Sequence, residues 1–386
     1  MDFSLFLRSA ESFYLDQSFK KGSLGSNVVN YQDELDLSEF QIAIIGVLET
    51  RGASRPYNMD SGLAKFRKAF GEMFSHSSGA RIVDMGDILP GNEAKDSYFA
   101  LGEVVKALIK ADVIPMIIGG TQDLTYGNYL AYEGLEQSVN LVTVDSRIDI
   151  GMLEDEVNDE NYMNKIIMHQ PNYLFNYSCI GYQSYFVHPD LLALMEKLYF
   201  DAYRLGKVRE DLSEVEPVMR GADVVSIDLT ALKVSEGAGT CAFSPNGFTG
   251  ADLCQIARYA GISDKVTSFG VFNYSPDEDQ KGVGAMLLAQ ICWYFIEGFL
   301  SRVGDYPVAS MSKYTKYRVL VDEETPELSF YKSDKSGRWW IEVPHPENTK
   351  FKHERHTYMS CSYQDYQEAL KGEIPERWWQ AYQKML

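Results

Sequence analysis

Apolar residues fall along the middle of the chain in two alternating rhythms. Nearly unbroken aliphatic runs predict buried strands: QIAIIGVLE from Gln41, VIPMIIGG from Val113, VNLVTVD from Val139, ADVVSIDL from Ala222 and KVTSFGVFN from Lys265. YSCIGYQ near Cys179 adds a further one. Between them, YFALGEVVKALIKA, DLLALMEKLYFDAYRLG and GADLCQIARYAG repeat apolar positions at helical spacing. Strands alternating with amphipathic helices are the pattern of an α/β fold, a parallel sheet covered by helices. Each well-marked strand ends in Gly, Asp, Glu or Asn, as expected where strand ends open into loops that hold a site.

The rhythm changes near Gly304. RVLVDE and SFYKSDKSGRWWIEVP alternate over short stretches around SDKSG, which predicts a β-hairpin, and IPERWWQAYQKML predicts a short helix behind a proline. The expected organisation is an α/β domain over residues 1–300 and an appendage over 301–386. Trp339, Trp340, Trp378 and Trp379 are expected to pack that appendage on the core.

Composition narrows the setting. A chain of 386 residues with 45% hydrophobic and 13% aromatic content carries enough apolar material for a sizeable core. A net charge of −19 argues against nucleic acid, because phosphate binding needs a basic face. The opening MDFSLFLRSAESFYLDQ has no signal-like apolar segment, and GAMLLAQICWYFIEGFL, interrupted by Gln290 and Glu297, reads as a buried helix. No membrane partner is expected, therefore, and the expected location is cytoplasmic. Five scattered cysteines without a CxxC fit free thiols in a reducing compartment. His353 and His356 in KHERH read as solvated surface.

Three acidic strand ends carry the candidate chemistry: Asp145 and Asp149 in VDSRID, and Asp228 in VVSIDLTALK. GGTQDLTYG, with Gln122 and Asp123, follows another strand. Residues two apart on a strand face the same way, so Asp145, Arg147 and Asp149 share a face if the strand continues that far. Converging carboxylates repel unless a cation neutralises them, and either a divalent metal or an arginine fork can do so. The motif alone leaves three readings open: a salt bridge at a strand tip, a metal site, or a metal site closed by an arginine.

From about Gly46 to Gly298 the chain resembles the ureohydrolases: arginase, agmatinase and, most closely, formimidoylglutamase. GVLETRGASRPYNMDSGLAKFRKAF resembles the family's N-terminal Gly-rich loop and following helix, and DMGDI its DLGD-type strand end. PMIIGGTQDLTYGNYLAY resembles its GG-[DG]-H-[SE] segment, VTVDSRID its D-A-H-x-D, VVSIDLTALKVSEGAG its S-x-D-x-D-x-x-D-P, and FNYSPDED its E-x-N-P-x-x-D. The resemblance implies a three-layer α/β/α fold with a mainly parallel sheet, hydrolysis of linear amidines at a two-metal centre, and assembly as a homo-oligomer.

The catalytic letters differ. Gln122 stands where the family places a histidine on the first metal. Asp145 and Asp149 match both aspartates of D-A-H-x-D, but Arg147 replaces its histidine. Asp228 matches the first aspartate of S-x-D-x-D, while Thr230 replaces the second and Asn273 the guanidinium-binding glutamate. What remains is an all-oxygen set of Asp145, Asp149, Asp228 and Gln122, suited to at most one Mn, Mg or Ca ion. Arg147 has no lone pair to offer a metal, so no two-metal centre is expected, and its guanidinium is expected to fork between the carboxylates in the second ion's place.

Asp145, Asp149, Asp228 and Arg147 are the catalytic candidates, and Asn273, Thr230 and Asp123 the pocket candidates. The expected function is a binding or scaffolding pseudoenzyme that has lost the dinuclear manganese centre. The alternative is an active hydrolase of C–N bonds in formimino or guanidino compounds using one metal or none. Either way the expected ligand is a small amidino or formimino compound.

Overall fold

The structure is a computed structural model that describes residues 3–33, 35–75, 79–151, 156–236, 239–240, 244–307, 311–321, 327–344 and 356–385. Cys241 and His353 lie outside these residues. The strands are β1 (Leu7–Arg8), β2 (Val29–Asn30), β3 (Ile42–Val47), β4 (Ile82–Ile88), β5 (Ile114–Ile118), β6 (Val139–Val144), β7 (Leu174–Tyr182), β8 (Asp201–Arg204), β9 (Val224–Asp228) and β10 (Ser268–Phe272). They form one ten-stranded sheet in the order β1-β4-β3-β5-β10-β9-β6-β7-β8, with β2 added beside β4. Its pairings are parallel except for β1 on β4.

The unbroken apolar runs follow from burial on both faces. Along β3, Ile42 and Ile44 enter one core cluster, while Ala43, Ile45 and Val47 enter the other. Helices Met59–Gly71, Gly250–Ile262 and Val283–Leu300 cover the first face with Phe66, Phe70, Leu253 and Phe295. Helices Ala94–Lys110 and Leu124–Glu133 cover the second with Leu101, Val104, Leu108 and Tyr132. The result is the three-layer α/β/α arrangement. Val283–Leu300 has the length and apolarity to cross a bilayer, yet it packs in the core, where Phe295 stacks on Phe269 at 4.2 Å.

Strand β4 escapes the apolar rhythm because Asp84 and Asp87 interrupt it. Both are buried and share the buried Arg67, which donates to the two oxygens of Asp84 at 2.8 and 3.0 Å and lies 2.7 Å from Asp87. The stretch from Asp190 to Gly206 is not one helix. Helix Pro189–Lys197 stops, Tyr199 enters the left-handed region at φ 56°, and the chain turns back as edge strand β8 beside β7. Helical spacing persists through the turn, but pairing along the open edge of β7 decides the conformation.

A second sheet follows: β11 (Tyr314–Val319), β12 (Leu328–Ser333), β13 (Trp339–Glu342) and β14 (Tyr358–Cys361), antiparallel in sequence order. The helix Glu376–Met385 after Pro375 closes one side, with Trp378 packed against Leu328, Phe330 and Ile341. Trp339, Trp340 and Trp378 are buried, while Trp379 is 46% exposed. Arg220, at the end of helix Val215–Gly221, ties this sheet to the first. It donates to the Trp339 and Cys361 carbonyls at 2.8 and 3.0 Å and lies 4.5 Å from the Trp340 ring centre. His356 is not solvated surface: it is buried, stacks on Phe175 at 3.7 Å and lies 2.9 Å from the Ser138 hydroxyl.

Candidate functional site

Four adjacent strands, β5, β10, β9 and β6, deliver the site at their C-terminal ends. Ile118 stands beside Val271, Phe272 beside Asp228, and Val144 beside Ile227. One step on, Asn273, Asp228 and Asp145 leave neighbouring strands together. Gln122 and Asp123 arrive from β5 through Gly119 and Gly120, both at positive φ. A Cβ on Gly120 would lie 2.4 Å from the Glu49 carbonyl oxygen, so this sharp exit needs glycine.

The structure brings Gln122, Asp123, Asp145, Asp149, Asp228 and Asn273 together as buried residues. Gln122 and Asp149 stand within hydrogen-bonding reach of Asp145. Asp228 is fully engaged: Oδ1 accepts from the Thr230 amide at 2.7 Å and Oδ2 from Asn273 Nδ2 at 2.9 Å. Asn273 keeps φ at 61° for this, with its own amide on the Gly120 carbonyl at 2.9 Å. Backbone strain of this kind concentrates at functional sites. Thr230 thus contributes its amide. Asp123, expected in the pocket, does not line it: it is fully buried and accepts from the Tyr98 hydroxyl.

Arg147 does not fork between the carboxylates. Strand β6 ends at Val144, and the Arg147 amide donates to Asp145 Oδ1 at 2.8 Å, closing a tight turn. That turn replaces the expected strand face and sends the Arg147 side chain outward. Its guanidinium, 39% exposed, lies 3.7 Å from Glu160 and 4.9 Å from the Phe186 ring centre. Among the described residues it pairs with none of the three strand-end carboxylates.

No cation among the described residues forms an ion pair with these carboxylates, although Arg147 lines the same pocket and its charge acts on Asp228. Burial, followed by the Asp228 charge, raises the Asp145 pKa well above the usual range. Burial and the neighbouring Asp145 do the same to Asp149. Burial pushes Asp228 up to about 6 against the hydrogen bonds from Thr230 and Asn273, and pushes Asp123 to about 6.

Among the described residues, no three His, Cys, Asp or Glu side chains form a ready metal cage. The buried acceptors without hydrogen-bond partners include Gln122 Oε1, Asp145 Oδ2 and Asp149 Oδ2. These are hard oxygen donors of the class a divalent cation takes. The second position does not fit. Arg147 has no lone pair and is turned away, and Thr230 supplies no carboxylate.

The pocket, about 50 Å³, is also lined by Tyr57, Asp159 and Glu160, which the strand-end pattern did not single out. The signal was present in the acidic run NDE that follows VTVDSRIDIG. Asp159 is tied to the opposite wall by its amide on the Gly52 carbonyl at 3.2 Å. Burial, then Asp228 and Asp123, push its pKa to about 8.

Comparison with known proteins agrees with this architecture. Residues 40–297 match the arginase family. A formimidoylglutamase of Geobacillus sp. (strain WCH70) is 24% identical over 301 residues, covering 73% of this chain and 89% of that protein. A formimidoylglutamase of Lysinibacillus sphaericus is 22% identical over 315 residues, 76% and 93% of the two chains. Among solved structures, Trypanosoma cruzi formiminoglutamase with Mn²⁺ superposes with a TM-score of 0.64 at 17% identity, covering 71% of this chain and 97% of that one. Formimidoylglutamase from Bacillus subtilis gives 0.62 at 18% identity, covering 78% and 98%.

Proposed function

We propose that this chain, which belongs to the arginase family, lacks two-metal amidine hydrolysis and keeps its pocket for binding a small amidino or formimino compound. Arg147 is the observation that carries this reading. It occupies the position where the family resemblance calls for a second-metal histidine, and it points instead to Glu160 and Phe186. Dinuclear activation holds one oxygen between two cations so that it ionises near neutral pH. A guanidinium supplies charge there but no ligand.

The pocket chemistry supports the ligand class. Asp149, Asp159, Glu160 and Asp228 line a small space against the single guanidinium of Arg147, and this shortage of positive charge adds to burial in raising the pKa of Asp159. An amidinium relieves that shortage by pairing with a carboxylate. Calorimetry of protein prepared in Mn²⁺, with N-formimino-L-glutamate, agmatine and arginine, tests the reading. Saturable binding without turnover supports it. Turnover with two tightly held ions per chain overturns it.

The unpartnered oxygens of Gln122, Asp145 and Asp149 favour a second reading, hydrolysis with one cation. Those residues and Asp228 would hold the ion, which would supply Lewis-acid activation of a water. This reading requires hydrolysis that disappears in Asp228→Ala while the fold survives. Hydrolysis that persists in Asp228→Ala rules it out.

A further inference from the structure

At the opposite end of the sheet from the carboxylates, a cavity of about 70 Å³ lies in the seam between the two sheets. Asn140 and Asn176 line it from β6 and β7, and Gly221 from the end of helix Val215–Gly221. Ser360 and Lys384 close it from β14 and the last helix. Asn140 and Asp145 are five residues apart on one strand path, roughly 16 Å at the strand rise. The seam is thus separate from the pocket described above. Ser360 and Lys384 also fall beyond residues 40–297, the part that matches the family.

One cation of the seam, Lys384, stands outside any ion pair among the described residues. The seam's other cations are matched: Lys265 lies 3.2 Å from Asp223, and Arg377 lies 3.1 Å from Asp365 and 3.6 Å from Glu214. Lys384 donates to Asn176 Oδ1 and sits 5.8 and 5.3 Å from the Phe175 and Phe200 ring centres. Among the described residues, no carboxylate is within ion-pair distance of its Nζ. Asp201 also lines the cavity and its charge acts on Lys384, but its Oδ2 is held by Asn176 and Ser178, from which it accepts at 2.7 and 2.8 Å. Burial pushes the Lys384 pKa down to about 8, as expected for an ammonium without a close counter-ion.

Two polar atoms at the seam also lack partners. Ser360 is 3% exposed and its hydroxyl has no hydrogen-bond partner. Asn140 Nδ2 donates to the Gly221 carbonyl at 2.8 Å, which leaves its buried Oδ1 as an unused acceptor. A cation, a donor and an acceptor thus face one cavity, each with hydrogen-bonding capacity that one small ligand could use. The absence of a side chain at Gly221 keeps the space open. A Cβ there would meet nothing nearer than Ser360 Oγ at 3.8 Å.

We propose that the seam binds a small hydroxylated oxyanion, with its charge on Lys384, an oxygen accepting from Ser360 and its own O–H donating to Asn140. Hydrogen phosphate and short hydroxycarboxylates share this chemistry.

Calorimetric titration of the full chain in EDTA, with inorganic phosphate, glycolate and acetate, tests the proposal. EDTA removes any cation that could hold an anion at the carboxylate pocket. Saturable binding of phosphate or glycolate is expected, and which of the two binds identifies the class. Acetate, which has no O–H, is expected to bind at least about tenfold more weakly than the one that binds. Lys384→Met should weaken binding by about ten- to a hundredfold, the loss of one charge-assisted hydrogen bond. Gly221→Ala, which has room to fold, should weaken it by narrowing the cavity. No saturable binding of either anion, or binding that Lys384→Met leaves unchanged, overturns the proposal.

Discussion

Consider Lys384→Met in phosphate-free buffer. The folded chain holds this ammonium with its pKa pushed down to about 8 by burial, against an ordinary value of 10.5. Between those two values the unfolded chain binds more protons, so the wild type gains stability as pH rises through that window. The penalty for the buried charge is present in full below pH 8 and is gone above 10.5. A difference of about 2.5 pH units corresponds to about 3 kcal/mol. Methionine keeps the volume but loses the bond to Asn176 and the contacts with Phe175 and Phe200, together worth about 1 kcal/mol.

The variant should therefore be more stable at pH 7 by about 2 kcal/mol. By pH 10.5 the sign should reverse, leaving the variant less stable by about 1 kcal/mol. Urea unfolding of both proteins at a series of pH values measures it, with the difference between the curves isolating Lys384 from every other titrating group. A variant less stable than wild type at pH 7, or a difference that does not change with pH, refutes the reasoning.

Three further outcomes follow from packing and charge. Arg67→Met leaves Asp84 buried without a cation and Asp87 with only the part-exposed Arg8, and should cost about 3–5 kcal/mol, read as a lower urea midpoint. Arg220→Ala removes the bonds to the Trp339 and Cys361 carbonyls and should weaken the seam by about 3 kcal/mol. Limited trypsin digestion should then cut faster between residues 301 and 313, while the ten-stranded sheet stays resistant. Arg147→His combined with Thr230→Asp restores nitrogen and carboxylate ligands, so Mn²⁺ titration should show one more bound ion per chain than wild type.

The parallel sheet was legible in the sequence because a strand buried on both faces needs an unbroken apolar run, and β3, β5, β6, β9 and β10 each have one. Strand β4 lacks that mark, since Asp84 and Asp87 are compensated by Arg67 from a helix elsewhere in the chain. The Asp190 to Gly206 stretch misled for the opposite reason: its spacing suits a helix, but a left-handed Tyr199 turns it back onto β7. Asp145 and Asp228 do stand at the ends of β6 and β9, as the apolar runs before them imply. The direction of Arg147 was not legible, because it depends on a hydrogen bond from its backbone N–H to the Asp145 carboxylate, in a turn that follows the strand's end at Val144. Nor could sequence show the seam, where Asn140 and Lys384, far apart in the chain, line one cavity.

Equilibrium dialysis of the full chain against Mn²⁺, followed by elemental analysis, asks whether Arg147 has displaced the second ion. No more than one ion per chain is predicted, with no hydrolysis of N-formimino-L-glutamate, agmatine or arginine in the same preparation. Two ions per chain, together with turnover of any of these, would contradict it.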